Sequence, residues 1–477
     1  MKGINKAIKS HEIDMTRGKL FPNIMKFAVP LMATGVLQLL FSTADMVVVG
    51  SFVGMTELAA VGATASLVTL IVNFFIGLSM GAGIATSNAY GAGDADDGSR
   101  ILHTSVPVAI ISGAIVMIFG VLMCKPLLLM MDTPANCMPH AEEYLTIYFC
   151  GAIFNLLYNF GAAVLRATGD TVRPLIFLAV AGVLNIIVNI VSVLVFKMGV
   201  AGVAYATIAS QAVSCVLVVI ALLKNKGFIR LEIKKIRIHG SALKKILRLG
   251  IPSGLQNSLF ALSNVLIQKT INGFGDVYVA GNTAARELEG FVYTMMNAVA
   301  NTAVTAVGQN YGANKFDRIK ESIIECVITA AVIGLVAGGI ILLLHDFLTG
   351  LYIESDDAQV KELAKSIAFE RLRLFLSTYF LCGVMDVLNC SMRGIGSSVL
   401  PMVIVLVGTC IFRIVWIYLI FPLRPTFLCV ILSYPISWAL TIAAGLIALC
   451  IVYKKRKREM ELHAAEMLGN EKAGETL

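Results

Sequence analysis

Phe41-Ser42-Thr43-Ala44-Asp45 lies inside an apolar run that extends from about Met25 to Phe52. A run of that length, coiled at ~1.5 Å per residue, crosses the ~30 Å hydrocarbon core of a bilayer. Asp45 is the one acid placed inside any of the first six such runs. A carboxylate in hydrocarbon is costly, and where a membrane protein keeps one it usually serves an ion or proton path. The plainer alternative is an interfacial Asp near a helix end.

The rest of the chain supports the membrane reading. Of its 477 residues 57% are hydrophobic and only 14% charged, and the mean hydropathy is +0.82. A soluble domain carries about a quarter charged residues, so this chain lacks the polar surface to dissolve. The basic N-terminus is followed by a run of full spanning length, so a membrane anchor is expected there in place of a cleaved leader. Ten cysteines are scattered singly, with no C-x-x-C, and read as small apolar residues. No G-x-x-x-x-G-K-[ST] loop occurs, so transport by this chain must draw on an ion gradient. An enzyme is not expected, since neither a metal-ligand set nor a paired catalytic acid motif appears. No cofactor and no nucleic-acid partner are expected; the partners are the bilayer and a small substrate, and the chain is expected to act as a monomer.

Apolar runs place twelve spans, at roughly 25–52, 58–86, 101–123, 144–165, 174–196, 200–223, 246–272, 279–308, 322–344, 367–392, 400–421 and 426–453. With both termini in the cytoplasm, 28 of the 38 lysines and arginines fall on the inner side. That bias sets the orientation, and the net charge of +8 follows from it without a nucleic-acid partner. The expected layout is a cytoplasmic segment 1–24, an N-lobe 25–223, a basic connector 224–245, a C-lobe 246–453 and a basic tail 454–477.

The two lobes repeat one another. Pro30 corresponds to Pro252, and Tyr90-Gly91-Ala92-Gly93 to Tyr311-Gly312-Ala313-Asn314. Leu165-Arg166-Ala167-Thr168-Gly169 with Pro174 corresponds to Met392-Arg393-Gly394-Ile395-Gly396 with Pro401. Order and spacing are kept, which marks a duplication of six spans. Six is even, so both halves insert with the same orientation, related by an axis along the membrane normal.

Thr43-Ala44-Asp45-Met46-Val47-Val48-Val49-Gly50, Asn88-Ala89-Tyr90-Gly91-Ala92-Gly93, Leu165-Arg166-Ala167-Thr168-Gly169-Asp170, Gly308-Gln309-Asn310-Tyr311-Gly312-Ala313 and Met392-Arg393-Gly394-Ile395-Gly396 together resemble the multidrug and toxic compound extrusion (MATE) family, in its DinF-like subgroup. The resemblance runs from about Pro22 to Lys454. It implies an all-α, V-shaped pair of six-helix bundles of the MOP type in the plasma membrane, exporting organic cations or amphiphiles by antiport with H⁺ or Na⁺. It also implies an ion-coupling set of Asp45, Asn185, Asn189 and Thr207, with Na⁺ or a proton as the ion. Where many members carry an Asp on helix five this chain has Asn189, so one carboxylate stands where two are usual.

Asn185 and Asn189 are four apart and share a helix face. Counted along their helices at ~1.5 Å per residue, the four polar groups reach compatible depths in the outer half of the membrane. As oxygen ligands they suit a hard cation or a hydrogen-bonded acid; otherwise they simply join helices. Pro30 removes a backbone hydrogen bond and is expected to bend helix one. Gln38, Phe154, Tyr158, Asn159, Gln256, Asn257, Tyr293, Met296 and Asn297 are candidates for cavity lining. In the C-lobe, Arg413 deep in its span needs a partner, and Asp386 or a backbone carbonyl is expected to supply it. Arg286, Glu287 and Glu289 read as a solvated outer rim. The alternative function is a flippase for a lipid-linked oligosaccharide or other polyprenyl lipid, although its pyrophosphate would call for more cavity cations than Arg413 alone.

Overall fold

The computed structural model describes residues 12–131, 133–353 and 357–474, and among these the chain is all-helical. The helices are α1 (Leu20–Phe52), α2 (Met55–Ala92), α3 (Ala95–Met130), α4 (Met138–Cys150), α5 (Ala152–Ala167), α6 (Val172–Ile190), α7 (Gly199–Leu223), α8 (Gly240–Asn272), α9 (Asp276–Gly312), α10 (Phe316–Leu343), α11 (His345–Gly350), α12 (Ala358–Gly394), α13 (Val399–Val405), α14 (Phe412–Val415) and α15 (Phe427–Gly474).

Exposure follows the helical period in the sense a membrane requires. On α3, Ile111, Ile115, Ile118 and Leu122 are exposed while Ser112, Gly113, Val116 and Gly120 are buried. Large apolar side chains at i, i+4, i+7 and i+11 thus face outward, and small ones let neighbouring helices approach. A Cβ on Gly120 would fall 2.4 Å from the Phe149 ring, so the glycine is the seat for that side chain.

Nine helices among the described residues are long and apolar enough to span, and the bent pair α4–α5, turned by 48°, makes a tenth. The 33-residue α8 and 37-residue α9 are longer than a bilayer needs but more polar. Counting both gives twelve long rods, compatible with the expected number.

The duplication is visible in the backbone. Gly54 before α2 and Gly275 before α9 have positive φ, as do Gly93 and Asn314, and Gly169 and Gly396. Each pair occupies equivalent positions of the two halves. The hydrogen bonds match as well: Asp94 N–H to Ala89 O and Lys315 N–H to Asn310 O, then Asp170 N–H to Leu165 O and Ser397 N–H to Met392 O, all 2.9–3.0 Å. These are helix stops of the same type, built where the chain must reverse into its next span.

Contacts gather Pro22–Tyr90 and Asp94–Leu266 into one compact unit, and Met15–Phe21, Gly91–Gly93 and the chain from Ile267 onward into a second. The first unit therefore holds the 224–245 connector and most of α8. In the second, α12 packs along α9, α10 and α15. Its core includes Met296, whose sulfur fills the space left by Gly334 and Gly383. The second unit also holds Met15–Phe21 through the Gly308–Ala313 motif and the turns after it. Gln309 Oε1 accepts from Met15 N–H (2.8 Å), Asn310 Nδ2 donates to Met15 O (3.1 Å) and Lys315 Nζ to Thr16 O (2.8 Å).

Candidate ion-coupling site

The site is assembled from α1 and α6 inside the first unit. Gly182 on α6 has no side chain, and Phe41 of α1 lies in the gap; a Cβ there would sit 1.9 Å from the Phe41 ring. This contact fixes the register of the two helices. One turn beyond Phe41, Asp45 meets the polar face of α6. Asn189 Nδ2 donates to Asp45 Oδ1 (2.5 Å) and to Asn185 Oδ1 (3.3 Å). Asn189 is fully buried, Asn185 is 5% exposed, and Asp45 is half-buried. Three of the four residues read from the sequence are thus joined in one hydrogen-bonded chain, and the fourth is not: the Thr207 hydroxyl donates to Val203 O of its own helix (3.0 Å).

Immediately beyond Asn189 the helix widens into a π turn, Val191–Val195. Such a turn inserts a residue and re-aims the side chains around it, often at functional sites. Here it brings Ser192 against Gly202 of α7, where a Cβ would lie 2.9 Å from that of Ser192. Periodicity gave no sign of it, because a single extra residue barely changes an apolar pattern.

Tyr144 of α4 is a neighbour of the candidate site that the sequence reading missed. Its ring packs against a cluster of Val48, Val49, Val193 and Val203, and it lies within electrostatic range of Asp45. It stacks on Tyr148, with ring centroids 6.1 Å apart, and Tyr148 hydrogen-bonds with Gln211 of α7. The available signal was the i, i+4 pair of tyrosines on a span at the depth of Asp45.

The other candidates divide. Pro30 lies inside α1, which runs from Leu20 to Phe52, and the Thr34 hydroxyl donates to Pro30 O (2.8 Å). Gln38 and Phe154 are exposed, and Gln256 and Asn257 half-buried. Asn159 donates to Asn155 one turn earlier (2.9 Å). Tyr158 ties α5 to α6 through its hydroxyl and Pro174 O (3.2 Å), and Met296 is 1% exposed in the core. Both pack helices together. In the second unit Tyr293, Asn297 and Asn301 form a polar ladder along α9: Asn297 Nδ2 donates to the Tyr293 hydroxyl (3.4 Å) and Asn301 Nδ2 to Asn297 Oδ1 (2.8 Å).

For Arg413 the expected partner was Asp386 or a backbone carbonyl, and both residues also make other contacts. Asp386 lies against the Tyr293 hydroxyl and in the field of Arg393. Arg413 Nε donates to Ser437 Oγ (3.0 Å), and its guanidinium stacks 4.0 Å from the Tyr434 ring. The solvated rim also needs correction at Glu289, which is 3% exposed. Arg371 Nε and Nη2 grip its two carboxylate oxygens at 2.8 and 2.7 Å, and Arg371 Nη1 donates to Asn282 Oδ1 (2.8 Å). The guanidinium lies 4.1 Å over Phe375. A planar fork on a carboxylate is the arrangement that satisfies a buried arginine. The sequence gave no sign that α9 and α12 meet there.

A polytopic helical duplication with a carboxylate held between two spans is an arrangement that membrane transporters use. The chain belongs to the MatE family, whose model matches residues 30–191 and 252–419. It is 30% identical over 408 residues to the probable multidrug resistance protein YpnP of Bacillus subtilis (strain 168), covering 84% of this chain and 88% of that one. To the multidrug export protein MepA of Staphylococcus aureus (strain NCTC 8325 / PS 47) it is 22% identical over 450 residues, 93% and 95% of the two chains. A solved structure of a multidrug resistance MATE family transporter of the MOP superfamily, in its outward-facing conformation, superimposes with a TM-score of 0.85 at 21% identity, over 95% of this chain and all of that one.

Proposed function

We propose that this protein is a multidrug efflux antiporter of the plasma membrane, both termini cytoplasmic, that exports organic cations or amphiphiles as protons enter through Asp45. The observation that carries the reading is the Asn189–Asp45 hydrogen bond. An ionised Asp45 accepts the amide N–H of Asn189. A protonated Asp45 has an O–H to donate, and Asn189 Oδ1, which is buried and has no hydrogen-bond partner among the described residues, is the acceptor a turned amide would offer. The pair is therefore satisfied in both protonation states, where two carboxylates would repel each other in one of them. Sodium coupling would ask more: Asn189 would have to turn its oxygen inward, and the Thr207 hydroxyl oxygen, which keeps its lone pairs while donating to Val203 O, would have to join Asp45 to complete an oxygen shell. Multidrug export is supported by the relatives' roles, and orientation by the lysine and arginine bias.

The cycle follows from the site. A cationic substrate favours the ionised carboxylate; proton entry from outside neutralises it, alters the hold of α1 on α6 and weakens the field that retains the cation. Opening inward then returns the proton to the cytoplasm. Substrate efflux from proteoliposomes under an imposed pH gradient, compared with an imposed Na⁺ gradient, tests this. The pH gradient alone is expected to drive export.

A further inference from the structure

The connector after α7 does not hang free. Ile229 and Leu231, each 3% exposed, are buried in a cluster with Leu102, Leu165 and Leu222. The buried His103 of α3 accepts from Glu232 N–H at Nε2 (3.0 Å) and is bonded to Ser99 O through Nδ1 (2.7 Å), which makes Nδ1 the protonated nitrogen. Further along, Thr104 Oγ1 accepts from His239 N–H (3.1 Å). Fastened at both ends, the segment carries its 3₁₀ turn, Ile233–Lys235, over the first turns of α3.

Between them is a surface groove of about 450 Å³, open to solvent, whose charged lining side chains are exposed. One water takes about 30 Å³, so the space suits a multi-atom ligand. Arg100, Lys234, Lys235 and Arg237 line it against a single carboxylate, Asp96. Lys235 is paired with Glu232 (2.8 Å), whereas Arg100 and Lys234 have no carboxylate at ion-pair distance among the described residues. Burial, followed by the fields of Arg237, Arg100 and His103, holds the His239 imidazole below its ordinary value, as expected where positive charge accumulates. Topology alone asks for basic residues on this side but not for a connector folded back so that four of them line one groove with the start of α3.

We propose that this groove binds a phosphate-bearing anion, separate from the Asp45 site. Guanidinium and ammonium groups lining one groove can match the oxygens of a phosphate or pyrophosphate. The phosphate belongs either to a phospholipid headgroup of the inner leaflet or to a soluble phosphorylated compound.

The test uses the full-length protein in nanodiscs, with inorganic pyrophosphate titrated by calorimetry. In phosphatidylcholine discs pyrophosphate should bind, with affinity falling as salt rises. The Arg100→Gln, Lys234→Gln, Arg237→Gln triple variant should lose at least tenfold, and Lys234→Gln alone, on an exposed turn, a smaller part of that. Lys454→Gln with Lys455→Gln, in the basic tail, should change nothing. In discs containing phosphatidylglycerol, a lipid occupant abolishes pyrophosphate binding and is retained through purification by the native chain but not by the triple variant; a soluble occupant leaves pyrophosphate binding intact. Equal binding by native chain and triple variant overturns the site, as does equal loss in the tail variant. So does absence of pyrophosphate binding together with equal phosphatidylglycerol retention by native chain and triple variant.

Discussion

Asn189 shapes the chemistry that Asp45 can perform. Its amide gives the carboxylate a donor and brings Asn185 into the same chain. Asp45→Asn removes the titrating group while keeping the shape, and efflux is expected to fall at least about tenfold in a pump-deficient host with the protein still in the membrane; undiminished efflux would count against the assignment. Asn189→Asp restores a second carboxylate, and the driving force in proteoliposomes is expected to shift from the pH gradient toward Na⁺. Asp45 was legible because an acid in an apolar run stands out, and Asn185 and Asn189 because the resemblance pointed to them and their spacing puts them on one face. Tyr144 was not, since a tyrosine in a span is ordinary and only the folded chain places it beside Val48 and Val49.

At the level of the elements, close approach does much of the positioning. Gly182→Leu would expel Phe41 from its seat, at a cost of about 1–3 kcal/mol for overpacking, and separate Asp45 from Asn189. A lower melting temperature together with lost transport is the expected result. The Glu289–Arg371 pair locks α9 to α12 in the second unit. Glu289→Gln leaves a buried guanidinium without its counter-charge, and about 3–5 kcal/mol of stability is expected to go. Glu289→Leu with Arg371→Met should cost less than the single change, a comparison that thermal denaturation in detergent can make. The long spans were readable from apolar length alone. The π turns Val191–Val195, Leu406–Ile411 and Trp416–Ile420 were not, because they alter hydrogen bonding without altering composition.

For the whole molecule, the duplication was the most legible feature, since its landmarks include turns whose backbone needs do not change between copies: Gly169 is matched by Gly396, and Gly93 by Asn314, all at positive φ. Gly169 and Gly396 test this. Both have positive φ, but a Cβ on Gly169 would meet the Ile13 backbone at 2.3 Å while one on Gly396 meets open space. Gly396→Ala should cost about 1 kcal/mol of backbone strain, and Gly169→Ala clearly more, measured as the drop in thermal stability. The α9–α12 ion pair stayed hidden because contacts between distant spans leave no periodic trace in either one. The central claim is that a single carboxylate, paired with an amide, couples transport to protons. Its most direct test is substrate efflux from proteoliposomes carrying either an imposed pH gradient or an imposed Na⁺ gradient. Efflux driven by the pH gradient and lost in Asp45→Asn is the predicted result; efflux driven by Na⁺ alone would contradict it.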